Sequence, residues 1–283
     1  MAVPYSDVSK AVNDLLNKDY PLNSIKTEFK LRSYNGVNYT LTGVNNSKTG
    51  QVSTEIKTAF KDYKNGLTLT ETWNNASVFG LKAELDNKIT KGLKIELDSH
   101  FNFNKSALSS KATISYKAPD VHARLLANLL DGPVITGDVV AVKDGFLAGT
   151  AVAFDSKTSN VTRYDATVGY ANPEFALTFH AEKYLKQFSA GYIQRVNLDT
   201  EFAARVTYNT EVVEKAVGIE IGTKHQIDRT TSLKAKINNN AILGLGLAHS
   251  LQPGVKVTIG SSIDVSKAQE AAHKFGVHFV LEK

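Results

Sequence analysis

The sequence predicts an all-β membrane protein: a single closed up-and-down β-barrel of about 19 strands, with an N-terminal amphipathic helix. Three observations support this class. Beyond residue 22, apolar and polar residues alternate to the C-terminus. Short turns rich in glycine and asparagine separate the alternating runs. No apolar run approaches the roughly 18 residues that a membrane-spanning helix needs, although 42% of the 283 residues are hydrophobic.

The first 22 residues predict one short amphipathic helix and the linker that follows it. Apolar residues recur at helical spacing from residue 8 to 16, and polar residues occupy the opposite side. We expect Ser6 or Asp7 to cap the start of the helix, because short oxygen-bearing side chains accept hydrogen bonds from its free N–H groups. We expect Pro21 to mark its end, because a proline pushes the preceding residue out of the helical region.

Residues 23–283 predict the barrel, because their residues alternate with a period of two. Ile95 and Leu97, for example, alternate with Lys94 and Glu96, which gives one apolar and one wet face. Membrane strands of about 9 to 11 residues with short turns fit roughly 17 to 20 strands into this length. We place nineteen strands, which begin near residues 25, 37, 51, 66, 80, 92, 110, 121, 134, 146, 162, 174, 187, 199, 216, 231, 241, 255 and 273. A closed barrel leaves no unpaired strand edge in the lipid.

The wet face predicts a water-filled pore with a weak preference for anions. Its inward positions hold roughly sixteen basic and twelve acidic residues, and the whole chain carries a net charge of +5. A wide pore with this modest surplus attracts anions without excluding cations. An alternative is that these lysines serve only solubility. The inward lysines that we expect to meet passing anions include Lys94, Lys111, Lys117, Lys234, Lys236 and Lys256.

Glu71 breaks the alternation of its strand. The apolar positions run Leu67, Leu69, Glu71, Trp73, so the carboxyl group points to the same side as the lipid-facing residues. A carboxyl group near the middle of a bilayer is unfavourable, and such residues are candidates for a function. The alternative is a bulge or a shifted register that turns Glu71 inward.

No motif indicates an enzyme, a metal site or a cofactor. The seven histidines are dispersed, and the chain has no cysteine. Zinc-binding H-E-x-x-H, the nucleophile motif G-x-S-x-G and the phosphate-binding P-loop are all absent from the sequence. We therefore expect no enzymatic activity, no metal and no cofactor. We also expect no nucleic acid partner, because the positive charge is assigned to the lumen.

One stretch of the sequence resembles a known family. Residues 225–247, HQIDRTTSLKAKINNNAILGLGL, are similar to the signature of the eukaryotic mitochondrial porins, the voltage-dependent anion-selective channels. Further matches are GLTLTETW at 66–73, GLK at 92–94, GFLAG at 145–149 and HKFG at 273–276. The resemblance covers the whole chain and points to the fungal members of the family.

Two departures from the family pattern accompany the resemblance. Arg229 stands where a small residue or a proline is usual. Asp19, Pro21 and Asn23 stand where the family has a glycine-rich hinge after the helix.

The resemblance implies a 19-stranded barrel in the mitochondrial outer membrane. It further implies that the first and last strands pair in parallel and that the N-terminal helix lies inside the pore. Lys10 and Lys18 of the helix would then meet nucleotide phosphates together with the lumen-facing lysines. The triplet Gly92, Leu93 and Lys94 matches one that is linked to nucleotide contact in the family.

The predicted function is a voltage-gated, weakly anion-selective diffusion channel for ATP, ADP, phosphate and other small metabolites. Its expected partners are membrane lipids, these anions, a second copy of the chain, and hexokinase-like or import-complex proteins that dock on it. One alternative is the barrel of a protein-import complex, for which a longer N-terminal segment and acidic lumen patches would be expected, and neither is evident. The other is a soluble β-rich binding protein, which would stay in solution without detergent.

Overall fold

The computed structural model describes residues 2–130, 132, 134–212, 216–267 and 273–283. It contains a single 19-stranded sheet that closes on itself, as the sequence predicts. The strands are β1 Ser24–Arg32, β2 Val37–Asn46, β3 Val52–Asp62, β4 Leu67–Asn74, β5 Val78–Asp86, β6 Leu93–Asn102, β7 Ala107–Lys117, β8 Val121–Asn128, β9 Val134–Lys143, β10 Phe146–Asp155, β11 Asn160–Ala171, β12 Phe175–Glu182, β13 Gln187–Arg195, β14 Thr200–Asn209, β15 Val217–Gln226, β16 Thr231–Asn238, β17 Ile242–Gln252, β18 Val255–Asp264 and β19 Lys274–Glu282.

The barrel closes through a parallel pair. β1 lies beside β19, from Ile25 opposite Val277 to Lys30 opposite Glu282. β1 also pairs antiparallel with β2, and the remaining neighbours pair antiparallel in chain order. Because an odd number of alternating strands leaves the first and last running in the same direction, closure has to be parallel. The expectation drawn from the family resemblance is therefore confirmed.

The two faces of the sheet follow the predicted alternation. On β1, the side chains of Ile25, Phe29 and Leu31 are exposed on the outer face, while Lys26 and Glu28 form an ion pair on the inner face. An exposed apolar band around a closed barrel suits contact with lipid. No helix in the described part of the chain is long and apolar enough to cross a membrane.

The predicted strand starts agree with the structure within about three residues. The largest difference is β7, which begins at Ala107 rather than near residue 110. The ladder continues before Ser110, with Phe101 opposite Leu108 and Asn102 opposite Ala107. The serines at 109 and 110 weaken the alternation there, so the sequence pattern did not show this part of the strand.

The N-terminal segment begins differently from the prediction. Residues Tyr5–Asp7 form a 3₁₀ turn, and the helix α1 spans Lys10–Asn17. The prediction that Ser6 or Asp7 caps the helix is wrong, because both residues belong to the 3₁₀ turn, in which the N–H of Asp7 donates to the carbonyl of Pro4. Ser9 occupies the cap position and makes no capping hydrogen bond there.

The end of α1 also differs from the prediction. The helix stops at Asn17 and therefore before Pro21. Lys18 is extended, and Asp19 has a φ of 67°, in the left-handed region that ends a helix. The left-handed Asp19 therefore terminates α1, and Pro21 belongs to the linker.

Apolar side chains of α1 pack inside the barrel against its inner wall. Val12, Leu15 and Leu16 of α1 pack on Ala203 of β14 and against Ile193 of β13. Leu16 is fully buried. The apolar stripe of the helix therefore faces the inner wall, and its polar side faces the lumen. The helix lies inside the pore, as expected.

Candidate functional site: the pore lumen

The predicted anion-contacting lysines of the strands all lie on the inner face, but their surroundings differ. Some are held in ion pairs, and others are open to the lumen. Among the described residues, no ion pair is present at the exposed lysines Lys18, Lys111, Lys117 and Lys256. Lys10 pairs loosely with Asp7 at 3.6 Å, and 60% of its side chain is exposed.

Lys94 belongs to a closed group of four charges on β5 and β6. Its ammonium group lies 2.9 Å from Glu84 and also contacts Glu96. Lys82 lies 2.8 Å from Glu84 and 3.2 Å from Glu96. The four charges neutralise one another, so Lys94 is not a free cation in the lumen.

The other two residues of the Gly92-Leu93-Lys94 triplet have structural positions. Gly92 lies in the turn before β6 with a φ of 86°, where an added Cβ would meet the carbonyl oxygen of Lys117. Its N–H donates to Asn87 Oδ1 at 2.6 Å. Leu93 shares the parity of Leu97, which is exposed on the outer face. Only the lysine of the triplet therefore faces the lumen.

Lys234 and Lys236 of β16 contact the N-terminal segment. The Nζ atom of Lys234 lies at the end of α1, 3.0 Å from the carboxylate of Asp19. Lys236 Nζ lies 2.9 Å from Glu220 and 4.9 Å from the centre of the Tyr20 ring. Both lysines therefore bind parts of the protein itself.

Lys18 and Lys256 line one cavity of about 700 Å³ beneath the linker. Its wall also carries Lys30 and the carboxylates of Asp19, Glu28 and Glu282. Glu28 pairs with Lys26 and Lys30, and Asp19 pairs with Lys234. Among the described residues, Lys18 and Lys256 are left as two unpaired cations against the one unpaired carboxylate of Glu282, and the volume suits a passing anion of metabolite size. Sequence parity alone brings Lys256 to the lumen, but it does not place Lys18 beside it.

Three arginines of the lumen wall were not singled out by the sequence as site residues, and each is paired with a carboxylate. The pairs are Arg124 with Asp138, Arg163 with Asp165, and Arg205 with Glu220. All three guanidinium groups line a cavity of about 370 Å³ between α1 and the wall. Alternating parity showed that these residues point inward. Strand register pairs Arg124 with Asp138 and Arg205 with Glu220 across neighbouring strands, whereas Arg163 and Asp165 lie two residues apart on β11.

The apolar patch of the inner wall that holds the 3₁₀ turn was also not predicted from the sequence. Tyr5 packs on Val140 of β9 and Ala151 of β10, with Val142 beside them. A signal was present in the sequence, because residues 139–142 read VVAV and lack the usual polar residue on the inner face. An apolar residue at an inward position marks where the N-terminal segment covers the wall.

Glu71 lies on the outer face of β4. It is exposed and shares its parity with Leu69 and Trp73, which are also exposed. Its partners on the neighbouring strands are Thr58 and Leu81, and both ladders run through this position without a register shift. A bulge at Glu71 is therefore not observed.

The turn that holds Arg229 is well ordered by its neighbour Asp228. The Asp228 carboxylate accepts hydrogen bonds from the hydroxyl and N–H of Thr230 and from the N–H of Thr231. These bonds, led by the Thr230 hydroxyl, lower the pKa of Asp228 to about 2. The N–H of Ile227 donates to the carbonyl of Thr231 at 3.0 Å, so Arg229 leaves the hairpin geometry intact.

A closed sheet with an apolar outer face, a charged lumen and an internal helix defines a membrane-spanning β-barrel pore. The sequence matches the eukaryotic porin family over residues 2–276. The chain therefore belongs to that family.

Curated relatives of full length agree with this membership. The chain is 38% identical to the mitochondrial outer membrane protein porin of Candida albicans, over 96% of each chain. It is 35% identical to the protein of the same name from Neurospora crassa, over 100% of each chain. It is 33% identical to the non-selective voltage-gated ion channel VDAC2 of Meleagris gallopavo, over 100% of this chain and 95% of the relative.

Solved structures share the fold at low sequence identity. A chain from a study titled "Asymmetric conductivity of engineered proteins" has a TM-score of 0.52 at 11% identity, covering 81% of this chain and 89% of that one. A triple mutant of Rhodopseudomonas blastica porin has a TM-score of 0.50 at 10% identity with the same coverage. These likenesses extend to the barrel architecture alone.

Proposed function

We propose that this chain forms a voltage-gated, weakly anion-selective diffusion channel of the mitochondrial outer membrane that passes ATP, ADP, phosphate and other small metabolites. The observation that carries the proposal is the closed barrel with a charged lumen. The relatives support it, because they are named mitochondrial outer membrane porins and a voltage-gated ion channel. The protein-import alternative has no observation in its favour.

The lumen lysines that support anion preference are those open to water. We assign this part to Lys10, Lys18, Lys111, Lys117 and Lys256, which are exposed. Their charges attract anions over a Debye length of about 8 to 10 Å at moderate salt, without a tight binding site. Passage then depends on pore width and summed charge, which suits metabolites of different shapes.

The other predicted contact residues take a smaller part in the proposal. Lys94 and Lys236 share their charge with carboxylates, so each contributes to the lumen potential together with an acid. Gly92 and Leu93 shape the turn that presents Lys94. Lys234 is not part of the proposed anion-contacting set, because its side chain is buried and its ammonium group binds the end of the N-terminal helix.

Lipid contact is the best supported of the partner proposals, because large apolar side chains are exposed around the outer face. A homo-oligomer and the docking of hexokinase-like or import-complex proteins are proposals that rest on the family resemblance. Chemical cross-linking in mitochondria followed by mass spectrometry tests them. If cross-links form only within single copies of the chain, both the homo-oligomer and the docking of other proteins are contradicted.

Planar-bilayer recording of the purified chain tests the proposed function. We expect channels that are open at low voltage and change to less conducting, less anion-selective states at higher voltage of either sign. A salt gradient across the bilayer should give a reversal potential that indicates weak anion preference. A silent protein, or an open state that firmly selects cations, would contradict the proposal. Fractionation with outer-membrane markers tests the location separately.

A further inference from the structure

Lys234 points from β16 to the end of α1, where it is almost completely buried. Its Nζ lies 3.0 Å from the carbonyl oxygen of Asp14, 3.1 Å from that of Lys18 and 3.0 Å from the Asp19 carboxylate. Only 7% of the side chain is exposed. An ammonium group has three N–H donors. All three have acceptors within the protein, and none is left for a passing phosphate.

Two of these acceptors are backbone carbonyl oxygens at the end of α1, and the Asp14 carbonyl also accepts the N–H of Lys18 at 3.3 Å. The last carbonyl groups of a helix have no partner within it, and together they carry a partial negative charge. A basic residue in the last turn often compensates this charge, but α1 has none there. Lys234 supplies the missing cation from the barrel wall. A helix of only eight residues depends on such tertiary contacts.

The linker after α1 is held beside Lys234. It lies against three inward-facing glycines, Gly246, Gly260 and Gly276. A Cβ added to Gly260 would come 2.5 Å from the carbonyl oxygen of Pro21. The Tyr20 ring lies under the ammonium group of Lys236. The end of the helix and the linker are therefore fixed to β16, β17, β18 and β19 by independent contacts.

We propose that Lys234 is a positioning residue that fixes the C-terminal end of α1 against the inner wall and so sets the width of the open channel. It acts on the conducting path through the helix and does not contact the passing anion. The consequence for transport rests on the proposed function as a pore, whereas the anchoring of the helix does not.

The test uses the absence of cysteine from this chain. In the variant Leu16→Cys, a single thiol replaces a fully buried side chain of α1, and its rate of reaction with a maleimide reports how often the helix leaves the wall. Lys234→Met is added to this background. We expect the labelling rate in liposomes to rise about tenfold or more, because hydrogen bonds to a charged group are lost from the helix end.

Lys224→Met in the same background is the matched control. Lys224 lies directly opposite Lys234 on β15 and pairs with Glu201 at 3.4 Å. Its removal takes the same charge from the same region of the wall. We expect its labelling rate to stay within about twofold of the Leu16→Cys background. Equal labelling rates in the two lysine variants would overturn the proposal.

A second variant keeps the test decisive if Lys234→Met does not refold. Asp19→Asn removes one of the three acceptors and leaves β16 unchanged, and we expect a smaller rise in labelling. An unchanged rate for Asp19→Asn would overturn the proposal.

Conductance is then recorded for each variant that refolds. Both lysine variants should shift the reversal potential alike, while only Lys234→Met should alter the open-channel conductance. A chain that labels as expected but conducts nothing would contradict the proposed function and leave the anchoring intact.

Discussion

Glu84 and Glu96 lie directly opposite each other on β5 and β6. Two like charges in this position destabilise a sheet. Lys82 and Lys94 each contact both carboxylates and offset the repulsion. The group is partly exposed to lumen water, so each pair contributes only modestly to the free energy of unfolding. A charge reversal at Lys94 would nevertheless disturb four residues, and it is a poor probe of lumen potential by itself.

Glu71 gives a prediction at the scale of one residue. Because its side chain is exposed on the outer face beside Leu69 and Trp73, an apolar carbodiimide delivered through lipid should label it in proteoliposomes. Glu71→Gln should abolish most of this labelling, as measured by mass spectrometry of the digested chain.

A water-soluble carbodiimide provides the control for Glu71. It should label carboxylates of the lumen, such as Glu55 on the inner face of β3, equally in the original chain and in Glu71→Gln. If the apolar reagent labels the Glu71→Gln variant as strongly as the original chain, the carboxyl group of Glu71 does not face lipid.

At the scale of elements, the helix and linker form one unit with the wall on which they lie. The apolar stripe of α1 covers Ala203, and Arg205 donates from its guanidinium group to Asn13 at 2.8 Å. Asp19 and Asn23 adopt positive φ values of 67° and 50°. They provide the two sharp bends for which glycine is the usual residue, with less conformational freedom. The linker is therefore bent at fixed points and held between them.

Crowding the linker should loosen this unit. Gly260→Ala places a Cβ within 2.5 to 2.6 Å of Pro21 atoms, and such overpacking typically costs about 1 to 3 kcal/mol. We expect a lower midpoint of thermal unfolding in detergent, followed by circular dichroism, and faster tryptic cleavage after Lys18. Gly43→Ala is the matched control, because no atom lies within 4 Å of its added Cβ. Equal midpoints and cleavage rates in the two variants would show that the linker does not lie against Gly260.

The elements also show what could be predicted from sequence. The alternation of apolar and polar residues was sufficient to predict the number of strands and the two faces of the sheet. The face to which a side chain points follows from its odd or even position along the strand. The contacts of Lys94 and Lys234 could not be predicted, because they depend on strand register and on where the helix lies. Val140 was informative, but one apolar residue at an inward position is difficult to distinguish from ordinary strand composition. The predicted N-terminal cap of the helix was wrong, because Pro4 precedes a 3₁₀ turn that includes Ser6.

At the scale of the whole molecule, the lumen has two kinds of wall. The N-terminal segment lies against β9 and β10, against β13 to β15 and, through its linker, against β16 to β19. There the apolar and small residues hold the segment. The strands from β1 to β8 leave their inner charges facing the remaining opening. Lys111 and Lys117 belong to this second wall, so passing ions meet them directly.

Selectivity should then follow the summed charge of the lumen and not the number of lysines. Lys117→Glu removes a cation and adds an anion, whereas Lys94→Gln combined with Glu84→Gln leaves the net charge unchanged. We expect the first variant to shift the reversal potential toward cations and the double variant to match the original chain. The shift should shrink with salt, because the screening length falls from about 30 Å at 0.01 M to about 3 Å at 1 M. A double variant whose reversal potential shifts as far as that of Lys117→Glu would mean that local contacts at Lys94 select the ion. A shift for Lys117→Glu that does not change with salt concentration would mean that the summed lumen charge does not set the selectivity.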